Sequence, residues 1–317
     1  MAAIAILDDY QKVALQLADW SKLQQHHRLT VFHEPFADES AAADALLGFG
    51  VVCLMRERTP FPRSLIERLP NLRLIMTAGH RNAAIDVTAA SQREIVVSGT
   101  DSPGHATAEL AMGLILALAR HLQAEAQAMR AGRWQTTLGQ DLRGKTLGLL
   151  GLGRLGGQMA RFGDAFGMKV IAWSENLTVE RCEQCGAERV GKDELFRRAD
   201  FLSIHTRLSA RTRGLVGERE LGLMKRTAYL VNTSRGPIVD EAALLAALRS
   251  GRIAGAALDV YDVEPLPVDH PLRAEPKALL TPHLGYVTEE TYRAFYGGMV
   301  AAIEAWLAGE PINLITS

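Results

Sequence analysis

The 317-residue chain is poor in several things, and each shortage narrows what it can be. Its three cysteines, Cys53, Cys182 and Cys185, are too few and too odd in number for a disulfide framework, which fits a reducing compartment. The Cys182-x-x-Cys185 pair has no second pair to complete a zinc site, so no metal is expected and the two thiols read as neighbours on one helical turn. Charge of one sign is missing: 35 Lys and Arg stand against 36 Asp and Glu, a net charge of -1, which gives no global field for nucleic acid or an anionic membrane. The longest nearly uninterrupted apolar stretch, Leu110 to Ala119, falls well short of the roughly 20 residues a spanning helix needs. Neither nucleic acid nor a membrane is therefore an expected partner. Met1 to Tyr10 shows no basic region ahead of an apolar segment, and the expected location is the cytoplasm. Repeats, low-complexity tracts and charge blocks are also lacking.

What remains is 48% hydrophobic and only 22% charged, a composition that buries a core, and at about 150 residues per domain the length suggests two domains. Short β-rich runs alternate with helical patterns: Ala3 to Leu7, Leu29 to Phe32, Val51 to Met55, Leu72 to Thr77 and Ile95 to Ser98, with amphipathic stretches such as Gln11 to Asp19 and Arg63 to Leu69 between them. A second series follows Leu142 to Lys145: Thr146 to Leu150, Lys169 to Trp173, Arg189 to Val190, Phe201 to His205, Tyr229 to Asn232, Ala254 to Asp259 and Ala278 to Leu280. The pattern predicts an α/β protein with two doubly wound parallel-sheet domains. His105 to Met129 reads as one long Ala/Leu-rich helix, too apolar for a linker and suited to packing between domains or subunits. A last helix, Glu289 to Leu307, comes after the second series and is expected to return to the first domain, which makes residues 1–100 and 287–317 one discontinuous domain and 101–286 the other.

Gly151-x-Gly153-x-x-Gly156 follows the β run Thr146 to Leu150 and precedes the helical pattern Gln158 to Phe166. In that context Gly151 allows the tight turn, Gly153 admits a pyrophosphate, and Gly156 lets helix pack on strand, with Arg154 and Leu155 between them at the helix N-terminus. The next strand ends in Ser174-Glu175-Asn176, and Glu175 lies where an acidic residue grips the adenosine ribose of NAD. Ser174 occupies the position immediately after the strand. NAD is the expected cofactor and NADP is left open, since the nearest cation for a 2′-phosphate, Arg181, is six residues beyond Glu175.

Ligands of open α/β sheets sit beyond the carboxyl ends of the strands. Three such ends carry Arg235 in Asn232-Thr233-Ser234-Arg235-Gly236, Glu264 in the segment after Leu258-Asp259-Val260, and His283 in Thr281-Pro282-His283-Leu284-Gly285. These are the groups that reduction of a carbonyl requires. A guanidinium holds a carboxylate and polarises the adjoining carbonyl, a histidine delivers a proton to the developing alkoxide, and a carboxylate orients the ring.

With these four ordered motifs the chain resembles the D-isomer-specific 2-hydroxyacid dehydrogenases, including glyoxylate/hydroxypyruvate reductases and phosphoglycerate dehydrogenases, from about Val51 to Gly285. The resemblance implies a flavodoxin-like substrate domain, a Rossmann NAD(P)-binding domain and a homodimer formed largely through the cofactor domains. It makes Arg235 the substrate-orienting arginine, His283 the acid/base and Glu264 its partner. It assigns cofactor contacts to Asp259, Gly285, Thr107, Thr233 and the strand-end segment His205, Thr206, Arg207. Substrate contacts fall on Arg56 and Arg58 at the far end and on the backbone N–H groups of the loop Ala78, Gly79, His80.

Departures from the pattern are Ser174 for the usual aspartate, His80-Arg81-Asn82-Ala83 in the substrate loop, and Arg207 for a proline; Glu264 in place of glutamine argues against formate. The expected activity is hydride transfer between NAD(P) and C2 of a small 2-oxo acid or D-2-hydroxy acid. Alternatives are 3-phosphoglycerate as substrate, with Arg56 and Arg58 as phosphate ligands, or a non-catalytic NAD(H)-sensing interaction protein.

Overall fold

The computed structural model describes residues 2–316. The chain divides between Pro103 and Gly104 and between Val287 and Thr288 into two compact units, the first built from both chain ends and the second from the central segment. Every strand of both is short, and the central ones, Val51–Leu54 and Leu74–Thr77 in the first sheet and Phe201–Ile204, Tyr229–Asn232 and Gly255–Leu258 in the second, are buried through their length, as expected where helices cover both faces of a parallel sheet.

The first unit holds β1 (Ala3–Ile6), β2 (Arg28–Val31), β3 (Val51–Leu54), β4 (Leu74–Thr77) and β5 (Val96–Gly99), all parallel, in the order β2-β1-β3-β4-β5. Leu54 and Thr77 pair in register, as do Thr77 and Gly99, so the loops after β3, β4 and β5 leave from one edge. The final helix, Glu289–Leu307, packs on β4 and β5 of this unit, with Tyr292, Phe295, Tyr296 and Met299 turned inward. Its first turn is capped by the Thr288 side chain, which accepts from the Thr291 amide.

The second unit holds β6 (Thr146–Leu150), β7 (Lys169–Trp173), β8 (Glu188–Arg189), β9 (Phe201–Ile204), β10 (Tyr229–Asn232), β11 (Gly255–Leu258) and β12 (Ala278–Leu280) in the order β12-β11-β10-β9-β6-β7-β8. Alternate residues feed two cores, Leu230 and Leu258 on one face and Val231 and Ala257 on the other. The register sets the site. Leu150 lies opposite Ile204, Ile204 opposite Asn232, Asn232 opposite Leu258, and Leu258 opposite Leu280. Gly151, His205, Thr233, Asp259 and Thr281 consequently emerge side by side.

The expected single helix from His105 to Met129 is two helices, Ala106–Ala119 and Leu122–Arg130, separated by His121 in a left-handed conformation with φ 51°. The Gln140 amide donates to the Ala119 carbonyl and takes over the end of the first helix. This partner lies too far along the chain for a helical pattern to reveal. The first of the two belongs to the second unit: its residues Ala108, Ala111 and Ile115 are buried in that unit's core, and it packs on β10, β11 and the helix Arg154–Ala165.

Candidate active site

The apolar strand β6 runs straight into the glycine loop, where Gly151 turns with φ 103° and the helix Arg154–Ala165 begins at Gly153 with no side-chain cap. A Cβ at Gly151 would lie 2.8 Å from the backbone of His205, and one at Gly156 would strike the Gly151 carbonyl. Around Gly153, by contrast, a Cβ would meet no protein atom within 4 Å. Two of the glycines therefore answer to packing, and the middle one faces open space in front of uncapped helix amides. Arg154 folds its guanidinium against the backbone of Gly104. Leu155 is half-buried, Ser174 accepts from the Leu177 amide in a turn, and Glu175 is exposed beside it.

His205, next to this turn, shares a 2.8 Å hydrogen bond between its Nε2 and Ser203 Oγ. Burial pushes its pKa down to about 4, so the ring is neutral near pH 7. Thr206 accepts from Ser234 Oγ through its carbonyl, and the exposed Arg207 accepts from Thr212 Oγ1 in the same way.

Asp259, fully buried at the end of β11, accepts from Thr281 Oγ1 at 2.6 Å and from the amides of Leu284 at 2.7 Å and Gly285 at 2.8 Å. Burial raises its pKa, and those hydrogen bonds oppose the rise. Thr107 Oγ1 adds a 2.7 Å bond to the Gly285 carbonyl. The loop between Thr281 and Gly285 is thus pinned on both sides of His283, which is held at φ 53°. Its Nδ1 meets Glu264 Oε2 at 2.5 Å, while the other carboxylate oxygen accepts from the Tyr261 amide at 2.9 Å. The Tyr286 ring stands edge-on to the imidazole, with centroids 5.4 Å apart.

Arg235 leaves β10 on a turn stapled by Asn232, whose side chain donates to the Arg235 carbonyl and accepts from the Ser234 amide, both at 3.0 Å. Gly236 then presses on the peptide joining Tyr261 and Asp262 so closely that a Cβ would overlap it. That approach sets the Arg235 turn beside the segment that carries Glu264. Arg235 Nη1 donates to the Ser234 carbonyl at 2.7 Å.

In the first unit, Arg56 and Arg58 follow β3. Arg56 Nη1 donates to the Ala78 carbonyl at 3.0 Å, and Arg58 donates to the Asp8 carbonyl at 2.7 Å and to the Tyr292 hydroxyl at 3.1 Å. In the loop after β4, the Ala78 amide is bonded to the Leu54 carbonyl and the Gly79 amide to Thr100 Oγ1. The His80 side chain pairs with Asp101 at 3.1 Å on the surface.

The family model for the NAD binding domain of D-isomer specific 2-hydroxyacid dehydrogenases matches residues 112–285. The chain is 41% identical over 303 residues to a glyoxylate reductase of Aeropyrum pernix, covering 91% of this chain and 84% of that one. The chain belongs to the D-isomer specific 2-hydroxyacid dehydrogenase family. As a member it is an NAD(P)-dependent oxidoreductase of 2-oxo and 2-hydroxy acids. A D-3-phosphoglycerate dehydrogenase of Methanocaldococcus jannaschii is 40% identical over 263 residues, 82% of this chain but only half of that longer protein. A crystal structure described as a putative D-3-phosphoglycerate dehydrogenase from Ralstonia solanacearum superposes with TM-score 0.94 at 33% identity, covering 99% of this chain and 96% of that one.

The dehydrogenase's second unit fits a dinucleotide on its own geometry. The space at Gly153 is a cradle in front of helix N–H groups, and Thr233 Oγ1, buried at the end of β10, has no hydrogen-bond partner in the protein. The sequence did not show the structural roles of three residues. Arg181 donates from Nε to the Leu152 carbonyl at 2.9 Å and from Nη2 to the Gly153 carbonyl at 3.0 Å, bracing the glycine loop from outside. Asn232 and Thr100 act through their side chains on neighbouring turns. Only Asn232 lay inside a recognisable motif.

Proposed function

We propose that the dehydrogenase reduces a small 2-oxo acid to its D-2-hydroxy acid, with Arg235, His283 and Glu264 as the catalytic groups of the second unit. The observation that carries this is the 2.5 Å contact between His283 Nδ1 and Glu264 Oε2, on a loop fixed by Asp259. With Nδ1 committed to the carboxylate, Nε2 is the nitrogen that gives a proton to the carbonyl oxygen in reduction and takes it back in oxidation. Glu264 holds the ring in that orientation and stabilises the imidazolium. Arg235 holds the carboxylate of the acid through its planar fork and draws charge from the adjoining carbonyl. The nicotinamide, when bound, supplies or accepts the hydride at C2.

The glycine loop, Thr107, Thr233 and the segment 205–207 form the dinucleotide site in this reading, and Asp259 serves it by positioning His283 and Gly285. NAD is preferred to NADP, because Glu175 repels a 2′-phosphate and Arg181 is engaged with the loop carbonyls. In the first unit, the Ala78 and Gly79 amides are occupied internally, so capture of the acid by that loop falls to the His80 amide. The molecule works as a homodimer in this proposal, through the second unit.

The test is a panel of 2-oxo acids with NADH and with NADPH, run on the wild type and on His283→Ala. The variant is expected to lose turnover by at least roughly 100-fold while its NADH dissociation constant stays within about twofold. Turnover that survives the substitution, or loss of NADH binding together with activity, refutes the role given to His283.

A further inference from the structure

The strands of the second sheet are parallel, so their starts share the edge opposite to the one where Gly151, His205 and Thr233 emerge. A cavity of about 320 Å³ opens at that opposite edge. Its lining includes Lys145 just before β6, Arg226 just before β10, Tyr229 at the start of β10, and His121 and Gln140 from the chain that leads to β6. At roughly 3.3 Å per residue, the four steps from Tyr229 to Thr233 put about 13 Å between this cavity and the dinucleotide site proposed above.

Three bases line the cavity, and none of the described residues that line it is an acid. Among the described residues, the side chains of Lys145, Arg226 and His121 have no hydrogen-bond or ion-pair partner. Asp200, at the same sheet edge, is already occupied: it accepts from the Thr146 amide at 2.8 Å and from Lys225 Nζ at 2.7 Å. Lys145 is half-buried, and a cation drawn out of water with no acceptor is costly to hold. A recess lined by charge of one sign concentrates ions of the other.

The backbone adds a second observation. His121 is held at φ 51°, a strain that clusters at functional sites for a residue with a side chain. The Gln140 amide closes the helix ahead of it by donating to the Ala119 carbonyl. Both residues of this helix break therefore belong to the cavity wall.

We propose that this cavity binds a small organic dianion, a phosphate monoester or a dicarboxylate, as a site separate from the one for the dinucleotide. Arg226 offers a planar fork and Lys145 a compact charge, the two kinds of donor that hold phosphate and carboxylate oxygens. The imidazole of His121 carries an N–H donor in either protonation state. Tyr229 supplies an aromatic wall for the carbon part of the ligand. The volume suits a molecule of a few carbons rather than a dinucleotide. This assignment does not depend on the reaction proposed above.

The test is isothermal titration calorimetry of the full chain, saturated with NADH in a zwitterionic buffer, with inorganic phosphate, β-glycerophosphate and succinate as probes. At least one of these dianions is expected to bind once per chain, more weakly as sodium chloride is raised. Binding of the phosphates without succinate assigns the site to a phosphate group, succinate alone assigns it to a dicarboxylate, and all three together show that it reads charge. Lys145→Gln with Arg226→Gln is expected to weaken binding about 100-fold at unchanged NADH affinity, whereas Arg235→Gln leaves it within about twofold. If the double variant does not fold, Arg226→Gln alone, at an exposed side chain, is expected to cost about tenfold. Binding lost with Arg235→Gln but kept in the double variant lies in the active site and overturns the proposal. No saturable binding also overturns it, whether water fills the cavity or the second copy in the proposed homodimer does.

Discussion

His283, the acid/base proposed above, shows how much of a residue's placement lies outside it. Its left-handed backbone is a conformation that costs about 1–3 kcal/mol for a residue with a side chain, and it persists because Asp259 ties down Thr281, Leu284 and Gly285 around it. Asp259 was legible in the sequence as a polar residue at a strand end. Its use of the carboxylate on amides some 25 positions away was not, because backbone donors leave no trace in side-chain identity. His205 illustrates the same point for charge. Burial holds it neutral, with a folded pKa of about 4 against an ordinary 6.5, so below pH 6.5 the unfolded chain binds the proton more readily. Stability is full above about pH 6.5 and falls as the pH drops toward 4, where the loss levels off. Urea midpoints measured between pH 7.5 and 4 are expected to decline less steeply in His205→Gln than in the wild type.

Elements were readable where their own residues decide them. The strand–glycine–helix passage from Thr146 to Ala165 is written in adjacent positions, and strand β10 falls on the segment its apolar run predicts. The break at His121 was not readable, since it depends on an amide donated by Gln140 from across a loop. The brace on the glycine loop is of this second kind as well. Arg181 belongs to the helix Val179–Cys185 and carries no motif, yet it fixes two carbonyls of the turn proposed above to hold the dinucleotide. Arg181→Met is expected to raise the KM for NADH roughly tenfold with kcat at saturation unchanged, the worth of a charge-assisted bond or two. Arg181→Lys is expected to recover part of that loss. A fall in kcat at unchanged KM contradicts the bracing role.

For the whole molecule, no described helix is long and apolar enough to cross a membrane. The surface of the second unit nonetheless bears large apolar side chains in one stretch of chain: Leu122 and Met129 on the helix Leu122–Arg130, then Trp134 at 72% exposure and Leu138 at 93%. Side chains of this size left in water mark an association surface, and in the homodimer proposed above they are the residues a partner covers. Replacing Trp134 and Leu138 together by glutamate is expected to convert dimer to monomer in analytical ultracentrifugation, with the far-ultraviolet circular dichroism of each chain preserved. A wild-type protein that is monomeric at micromolar concentration removes the basis for this expectation.

The sequence alone determined the alternation of strands and helices, the glycine loop and the three strand ends that carry Arg235, Glu264 and His283. Those features depend on residue type and local spacing, which the chain states directly. Only the tertiary structure decided which strand ends lie side by side, that Gly236 presses the Arg235 turn onto the segment of Glu264, that Asp259 locks the histidine loop, and that Arg56 and Arg58 bond the carbonyls of Ala78 and Asp8. Each of these is a contact between distant segments, set by register and packing, and a one-residue slip in either strand pairing would erase it without changing any motif.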